Sequence, residues 1–159
     1  MKFRIRIAQA KDKEKILSVI GSYPFKWDKR IAEKYYEDYF SDKRSFQGDK
    51  VYVLDLDSKI IIGVVGYYLD RYETKNYWLG WFYVHNKYQG GGHARKLLDH
   101  IIGKLKRKGV KKLFVDTSSN EFYQKALTLY MNNGFRIEAT IRDYYGKGED
   151  QIILSKQIK

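Results

Sequence analysis

Trp78-Leu79-Gly80-Trp81-Phe82-Tyr83-Val84-His85-Asn86-Lys87-Tyr88-Gln89-Gly90-Gly91-Gly92-His93-Ala94-Arg95-Lys96-Leu97-Leu98, continuing to Lys108, is the stretch that decides the fold. Its opening, Trp78 to Val84, is rich in aromatic residues and predicts a strand. A polar turn follows at His85-Asn86-Lys87, then Tyr88, Gln89 and three successive glycines. From Ala94 the apolar residues fall at Ala94, Leu97, Leu98, Ile101, Ile102 and Leu105, the spacing of one helical face. The order is strand, glycine turn, helix.

A helix start leaves its first backbone N–H groups unpaired and carries partial positive charge from the aligned peptide dipoles. Glycines ahead of it let the backbone approach a ligand and adopt φ values that other residues avoid. Such a turn either makes a tight connection or cradles a phosphate or pyrophosphate. No Gly-Lys-Ser/Thr follows, so it is not a P-loop, and the spacing is not the dinucleotide G-x-G-x-x-G.

Two motifs narrow the choice. Gln89-Gly90-Gly91-Gly92-His93-Ala94 fits Q/R-x-x-G-x-G/A after a strand, and Ala126-Leu127-Thr128-Leu129-Tyr130-Met131-Asn132-Asn133-Gly134-Phe135 is close to A-x-x-L-Y-x-x-x-G-F. With both motifs in this order, separated by a helix and a strand, the sequence resembles the GNAT superfamily of N-acetyltransferases. The resemblance covers about the C-terminal half directly. It implies that Gln89, Gly90, Gly91, Gly92, His93, Ala94 and Arg95 form a pyrophosphate loop for acetyl-coenzyme A.

Composition agrees with one globular domain over residues 1–159. Hydrophobic content of 43% and aromatic content of 16% suffice to fill a core. No apolar run approaches the roughly 20 residues of a membrane span, and the N-terminus alternates instead of reading as a signal peptide. There is no cysteine, so disulfides, thiolate metal sites and a cysteine nucleophile are excluded, and a cytoplasmic protein is expected. His85, His93 and His100 show no metal-ligand spacing. Thirty-one Lys and Arg against nineteen Asp and Glu give +12, which suits either a polyanionic partner or a lysine-rich solvated surface.

Taken in order, Phe3, Ile5 and Ile7 alternate with Arg4 and Arg6 as a half-buried strand. Asp12 is placed to cap a first helix and Asp28 a second, broken apart at Gly21-Ser22-Tyr23-Pro24. Val51–Leu54 and Lys59–Tyr68 read as strands joined at Asp57-Ser58, and the loop from Asp70 leads into the central strand. Gly109 ends the long helix, Lys112–Asp116 forms a strand, and Ser119 or Asn120 starts a helix that Gly134 stops. Phe135–Tyr144 and Gln151–Ile158 make a closing pair across Gly146-Lys147-Gly148. The fold class is α/β (α+β), with a mixed, mostly antiparallel sheet of about seven strands and four helices in the order β-α-α-β-β-β-α-β-α-β-β.

The resemblance implies further roles. The sheet is expected to splay beside the central strand, where an acyl-pantetheine arm pairs with the main chain of Phe82, Tyr83 and Val84. Tyr130, placed by the L-Y of the second motif, is the expected general acid for the leaving thiolate. Many members carry a glutamate on the central strand; here there is none, which leaves Glu73 and His85 as candidate bases beside a water chain. The family's asparagine three residues before the motif alanine is Tyr123 here, with Asn120 one turn earlier, and either is expected to contact the arm. The N-terminal helices offer Phe25, Trp27, Tyr35 and Tyr36 as acceptor-lining or core residues.

The tail Ile141-Arg142-Asp143-Tyr144-Tyr145, then Glu149-Asp150-Gln151, resembles that of protein N-terminal acetyltransferases, which makes Tyr144 and Tyr145 candidate substrate contacts or cross-strand packing residues. The expected function is acetyl transfer from acetyl-coenzyme A to a small amine or a protein N-terminus. The alternative is a non-catalytic basic module contacting nucleic acid, which the two cofactor motifs weigh against. A homodimer is left open.

Overall fold

The computed structural model describes residues 1–41, 48–70, 72, 74 and 76–159, without the side chain of Lys26. Seven strands and four helices follow one another as β1 (Phe3–Ile7), α1 (Lys13–Ile20), α2 (Lys26–Ser41), β2 (Lys50–Leu56), β3 (Ile60–Leu69), β4 (Asn76–Val84), α3 (His93–Arg107), β5 (Lys112–Ser118), α4 (Gln124–Asn132), β6 (Arg136–Gly146) and β7 (Glu149–Gln157). The strands form one sheet in the order β1-β2-β3-β4-β5-β7-β6. Pairing is antiparallel for β1–β2, β2–β3, β5–β7 and β6–β7, and parallel for β4–β5. The fold class and element order are those expected from the sequence. Among the described residues no helix is long and apolar enough to cross a membrane.

The chain forms two compact units, residues 1–68 with 80–103, and residues 69–79 with 104–159. In the first, β2 and β3 are buried almost end to end. Such a continuous apolar run means that both faces of the strands are covered. Val51 and Val53 join Ile16, Val19, Ile20, Ala32 and Tyr36 of α1 and α2 in one core. Tyr52, pointing the other way, sets its ring 4.8 Å from His100 of α3. Gly63 makes room there, since a Cβ would stand 2.8 Å from Leu97 Cδ1.

In the second unit β5 pairs along its length with β7, from Lys112–Gln157 to Ser118–Gln151. Leu113, Val115, Leu154, Tyr130 and Phe135 are buried there. Trp78 stacks on Phe114 with ring centroids 5.1 Å apart. The parallel register of β4 with β5 runs from Asn76–Lys112 to Trp78–Phe114. Gly109 (φ 72°) and Gly134 (φ 83°) end α3 and α4 in left-handed conformations. The Val110 and Phe135 amides reach back to Leu105 O and Tyr130 O, both at 3.1 Å, closing the helix ends as glycine allows.

Three local expectations are corrected. Asp12 makes no side-chain cap to α1, because its carboxylate accepts instead from the Gln9 amide (2.8 Å) and from Arg6 Nη1 (2.7 Å) and Nη2 (3.0 Å). Asp28 lies inside the first turn of α2 and accepts from the Tyr83 hydroxyl at 2.8 Å. Ile7 is exposed, and Arg6 takes the half-buried place on β1, because Arg6 Nε also donates to Asp55 at 2.7 Å.

Asp12 and Asp55 are each only 2% exposed, and Arg6 pairs with both buried carboxylates at once while Arg4 supplies a second cation to Asp55. Burial alone would raise both carboxyls, but the Arg6 hydrogen bonds and charge, helped by Gln9 at Asp12 and Arg4 at Asp55, hold them below their ordinary value. A depressed carboxylate contributes stability above its unfolded pKa, near 3.9, and loses it as pH falls through the lower folded value. Arg6→Met is expected to destabilise by about 3–5 kcal/mol at pH 7, the cost of breaking a buried pair. Denaturant unfolding at stepped pH should show the gap between wild type and variant closing below about pH 4.

Candidate functional site

The glycine turn is built by restraints on both sides. Upstream, His85 caps a single 3-10 turn, its Nδ1 accepting from the Lys87 amide at 3.2 Å. Gln89 Nε2 donates to the Tyr23 hydroxyl at 2.7 Å, and that hydroxyl donates to Val84 O at 2.9 Å. Gln89 therefore ties the turn to the end of α1 and to β4. Asn86 adds a bond from its amide to Ser22 Oγ at 3.0 Å.

Gly90 (φ 83°) and Gly92 (φ 73°) are left-handed, and a Cβ on either would meet nothing within 4 Å. Both the conformation and the open space in front of it are thus present. The Lys96 amide bonds to Gly92 O at 3.1 Å as the first bond of α3, which leaves the amides ahead of it outside the helical ladder. Open, left-handed glycines before a helix start fit a pyrophosphate. Gly91 differs, since a Cβ there would lie 2.6 Å from His93 Nε2. The His93 ring packs 4.8 Å from Phe3, and its Nδ1 is buried without a hydrogen-bond partner. Burial, with Lys96 nearby, lowers its pKa. Arg95 Nε is paired with Asp99 at 3.0 Å on the exposed face of α3. Ala94 is partly buried in the first turn of α3.

The central strand carries a distortion the sequence did not announce. Trp81 has φ 48°, rare for a bulky residue. The alternation that buries Tyr77 and Leu79 stops there, and Trp81, Phe82 and Tyr83 are all partly buried. The Trp81 ring contacts Tyr35 (5.6 Å) and Tyr36 (6.1 Å), while Tyr83 meets Tyr23 edge-on at 5.3 Å. Tyr36 is fully buried and belongs to the core, Tyr35 is partly buried against it, and Trp27 is 70% exposed.

In the second unit Tyr130 is 4% exposed on α4, its ring 5.4 Å from Phe135. Burial first, then the charge of Asp116, raises its pKa, so the phenol keeps its proton well past neutrality. Asp116, on β5, also accepts from Gln151 Nε2 at 3.0 Å and lies 3.4 Å from the Tyr145 hydroxyl. Burial and Asp116 push Tyr145 up to about 12. Tyr144 is exposed, its ring edge-on to Tyr145 at 4.9 Å. The β5–β7 and β6–β7 pairings thus bring Gln151 and Tyr145 to the Asp116 carboxylate, whose charge also reaches Tyr130 on α4.

Sequence reasoning did not single out Asp116, although an exposed acid inside Leu113-Phe114-Val115-Asp116-Thr117 is out of character for a strand. The expected bases fare differently. His85 Nδ1 is engaged in its turn, and burial with Lys87 lowers its pKa. Glu73 lies outside the described residues. Asn120 caps a 3-10 turn, its Oδ1 accepting from the Phe122 amide at 3.0 Å, and Tyr123 directly precedes α4.

These features have a family. The chain belongs to the acetyltransferase (GNAT) family, whose sequence profile matches residues 11–135. It is an acyltransferase by that membership, and enzymes of the family generally use acetyl-coenzyme A. No curated protein sequence matches it. Among solved structures, a GNAT-family acetyltransferase from Desulfovibrio desulfuricans superposes with a TM-score of 0.87 at 22% identity, over 99% of both chains. The ribosomal-protein-S18-alanine N-acetyltransferase of Escherichia coli gives 0.81 at 21% identity, over 99% of this chain and 95% of that one. A spermidine N-acetyltransferase chimera of Vibrio cholerae and human sequence gives 0.78 at 17%, over 99% and 96%. At these identities the superpositions establish the fold.

Because a side chain at Gly92 would meet only open space, the penalty of Gly92→Ala is purely conformational, about 1–2 kcal/mol for a left-handed residue. Denaturant unfolding should show that loss, and a chemically made chain with d-alanine at this position should recover it.

Proposed function

We propose that residues 1–159 act as one N-acetyltransferase domain that moves an acetyl group from acetyl-coenzyme A to a primary amine by direct attack. The observation that carries this reading is the glycine turn, left-handed and open at Gly90 and Gly92 ahead of α3. The bound donor supplies an activated acyl carbon and a thiolate leaving group. Gly90, Gly91, Gly92 and the first amides of α3 hold its diphosphate. Gln89 keeps that turn in place through Tyr23 and does so whether or not a ligand is bound. The main chain of Phe82, Tyr83 and Val84 receives the pantetheine arm, although Val84 O already accepts from Tyr23.

Asp116 takes the proton that the amine sheds as nitrogen bonds to the acyl carbon, since it is an exposed carboxylate already poised among hydroxyl and amide donors. Tyr130 directs its O–H at the leaving sulfur as the carbon–sulfur bond breaks. Its raised pKa makes it a donor that never ionises at working pH. Tyr144 and Tyr145 stand on the β6–β7 hairpin beside Asp116 and hold the acceptor, Tyr145 through the same carboxylate. Both a protein N-terminus and a small amine fit this arrangement, as the two named enzymes of similar fold illustrate for their own substrates.

A thiol-release assay with acetyl-coenzyme A and a panel of amines and N-terminal peptides tests the reading. No release with any acceptor, together with no rise in melting temperature on adding the coenzyme, would remove it. Asp116→Asn and Tyr130→Phe are each expected to lower kcat about a hundredfold or more while leaving the coenzyme-induced thermal shift nearly intact. Because the Tyr130 pKa lies above its ordinary value, wild-type kcat should show no tyrosine-dependent fall up to about pH 10, read by comparing its pH profile with that of Tyr130→Phe.

A further inference from the structure

The first unit holds an aromatic cluster that the donor does not use. Tyr35 and Tyr39, one helical turn apart on α2, stack with ring centroids 6.0 Å apart and planes at 13°. Trp81 closes on Tyr35 at 5.6 Å. Tyr68 lies across β4, its Cε1 3.3 Å from where a Gly80 side chain would begin, so Gly80 gives that ring its place. Tyr35, Tyr39 and Trp81 are only partly buried against the core beneath them, and Tyr68 is exposed.

Asp49 directly precedes β2, whose first residue, Lys50, pairs with Tyr67, the neighbour of Tyr68. Burial raises both Tyr35 and Tyr39; the charge of Asp49 comes next at Tyr35, while at Tyr39 the backbone bond with Val51 works the other way and outweighs the smaller push from Asp49. The helix contributes in the same sense. Its last two turns, Tyr35–Ser41, hold Glu37 and Asp38, of which Asp38 is paired with Lys34 at 3.0 Å, and a helix C-terminus carries partial negative charge.

Trp81 supplies an independent sign that the place matters. A left-handed tryptophan in mid-strand stores strain, and such strain persists where the surroundings hold it and concentrates at functional positions. Its effect here is to lay the indole against Tyr35 and Tyr36.

We propose that Tyr35, Tyr39, Tyr68 and Trp81, with Asp49, form an acceptor subsite for a cationic group, so that the preferred acceptor carries a positive charge in addition to the amine that is acetylated. Aromatic faces attract ammonium and guanidinium groups through their quadrupoles, and a carboxylate at the rim adds a charge partner. The shared chemistry is a second cation, supplied by either a linear diamine or a basic side chain near a peptide N-terminus.

The inference rests on the acetyl-transfer reading, so its experiment keeps the two apart. Rates are compared for a linear diamine against the monoamine of equal chain length, and for two peptides that differ only in lysine or norleucine after the first residue. The charged member of at least one pair is expected to show kcat/KM about tenfold higher, mainly through KM. Which pair shows it identifies the source of the cation. In Asp49→Asn that preference should collapse, and in Tyr35→Leu it should weaken.

Equal rates within both pairs, or a preference untouched by Asp49→Asn, would overturn the subsite while leaving acetyl transfer standing. Calorimetric titration of the diamine and of the lysine peptide into the protein needs no turnover. Binding by the wild type that Asp49→Asn weakens supports the subsite, even in a preparation that fails to bind acetyl-coenzyme A. Failure of the wild type to bind either one overturns it.

Discussion

The constraint on which the structure turns is the left-handed backbone of Trp81 in the middle of β4. A bulky residue in that conformation costs on the order of 1–3 kcal/mol, and nothing within the strand itself returns the energy. The return comes from side chains. The indole packs on Tyr35 and Tyr36, and two residues on, Tyr83 reaches Asp28 while its ring meets Tyr23. Tyr23 in turn holds Gln89 and Val84 O, the two ends of the segment that enters the glycine turn. The distorted strand is therefore held by side chains of α2 and of the turn before it, and Tyr23 extends that hold to the glycine turn.

A second restraint of the same kind fixes β1 and the start of α1. Arg6 spans Asp12 and Asp55, so one guanidinium registers the first strand on β2 and locks the entry to the first helix. Buried ion pairs often add little net stability, because desolvation offsets the attraction. Their effect is to penalise alternatives, since a one-residue slip of β1 would turn Arg6 away from both carboxylates. In both restraints a polar or strained group is held only because its partners lie on other elements.

That dependence explains what could be read along the chain and what could not. The order of elements, the glycine turn and the glycines at Gly109 and Gly134 are local features, and each stands where the spacing placed it. Asp12 and Asp28 misled because N-cap preference is also local, while their carboxylates bond to Arg6 and Tyr83 from other elements. Asp116 escaped notice for the same reason. Its partners Tyr145 and Gln151 come from β6 and β7, and only the antiparallel pairing of β5, β7 and β6 brings them to it. The motif tyrosine was legible, but the charge that tunes it was not.

Within the proposed mechanism, burial and that charge favour one role for Tyr130 over another. A thiol has an ordinary pKa near 8.5, so a departing thiolate is a weak base for a phenol whose own pKa is raised. Full proton transfer to sulfur would run uphill, whereas a hydrogen bond to the developing anion gains strength from low exposure and costs no ionisation. Asp116 sharpens the point, because the charge that suits it to receive a proton is the charge that keeps the phenol from releasing one. The pair is therefore better matched to a base and a hydrogen-bond donor than to two groups exchanging protons in a relay. Under the proposed mechanism the carboxylate would complete the amine's half of the reaction and the buried hydroxyl would steady the sulfur until solvent protonated it.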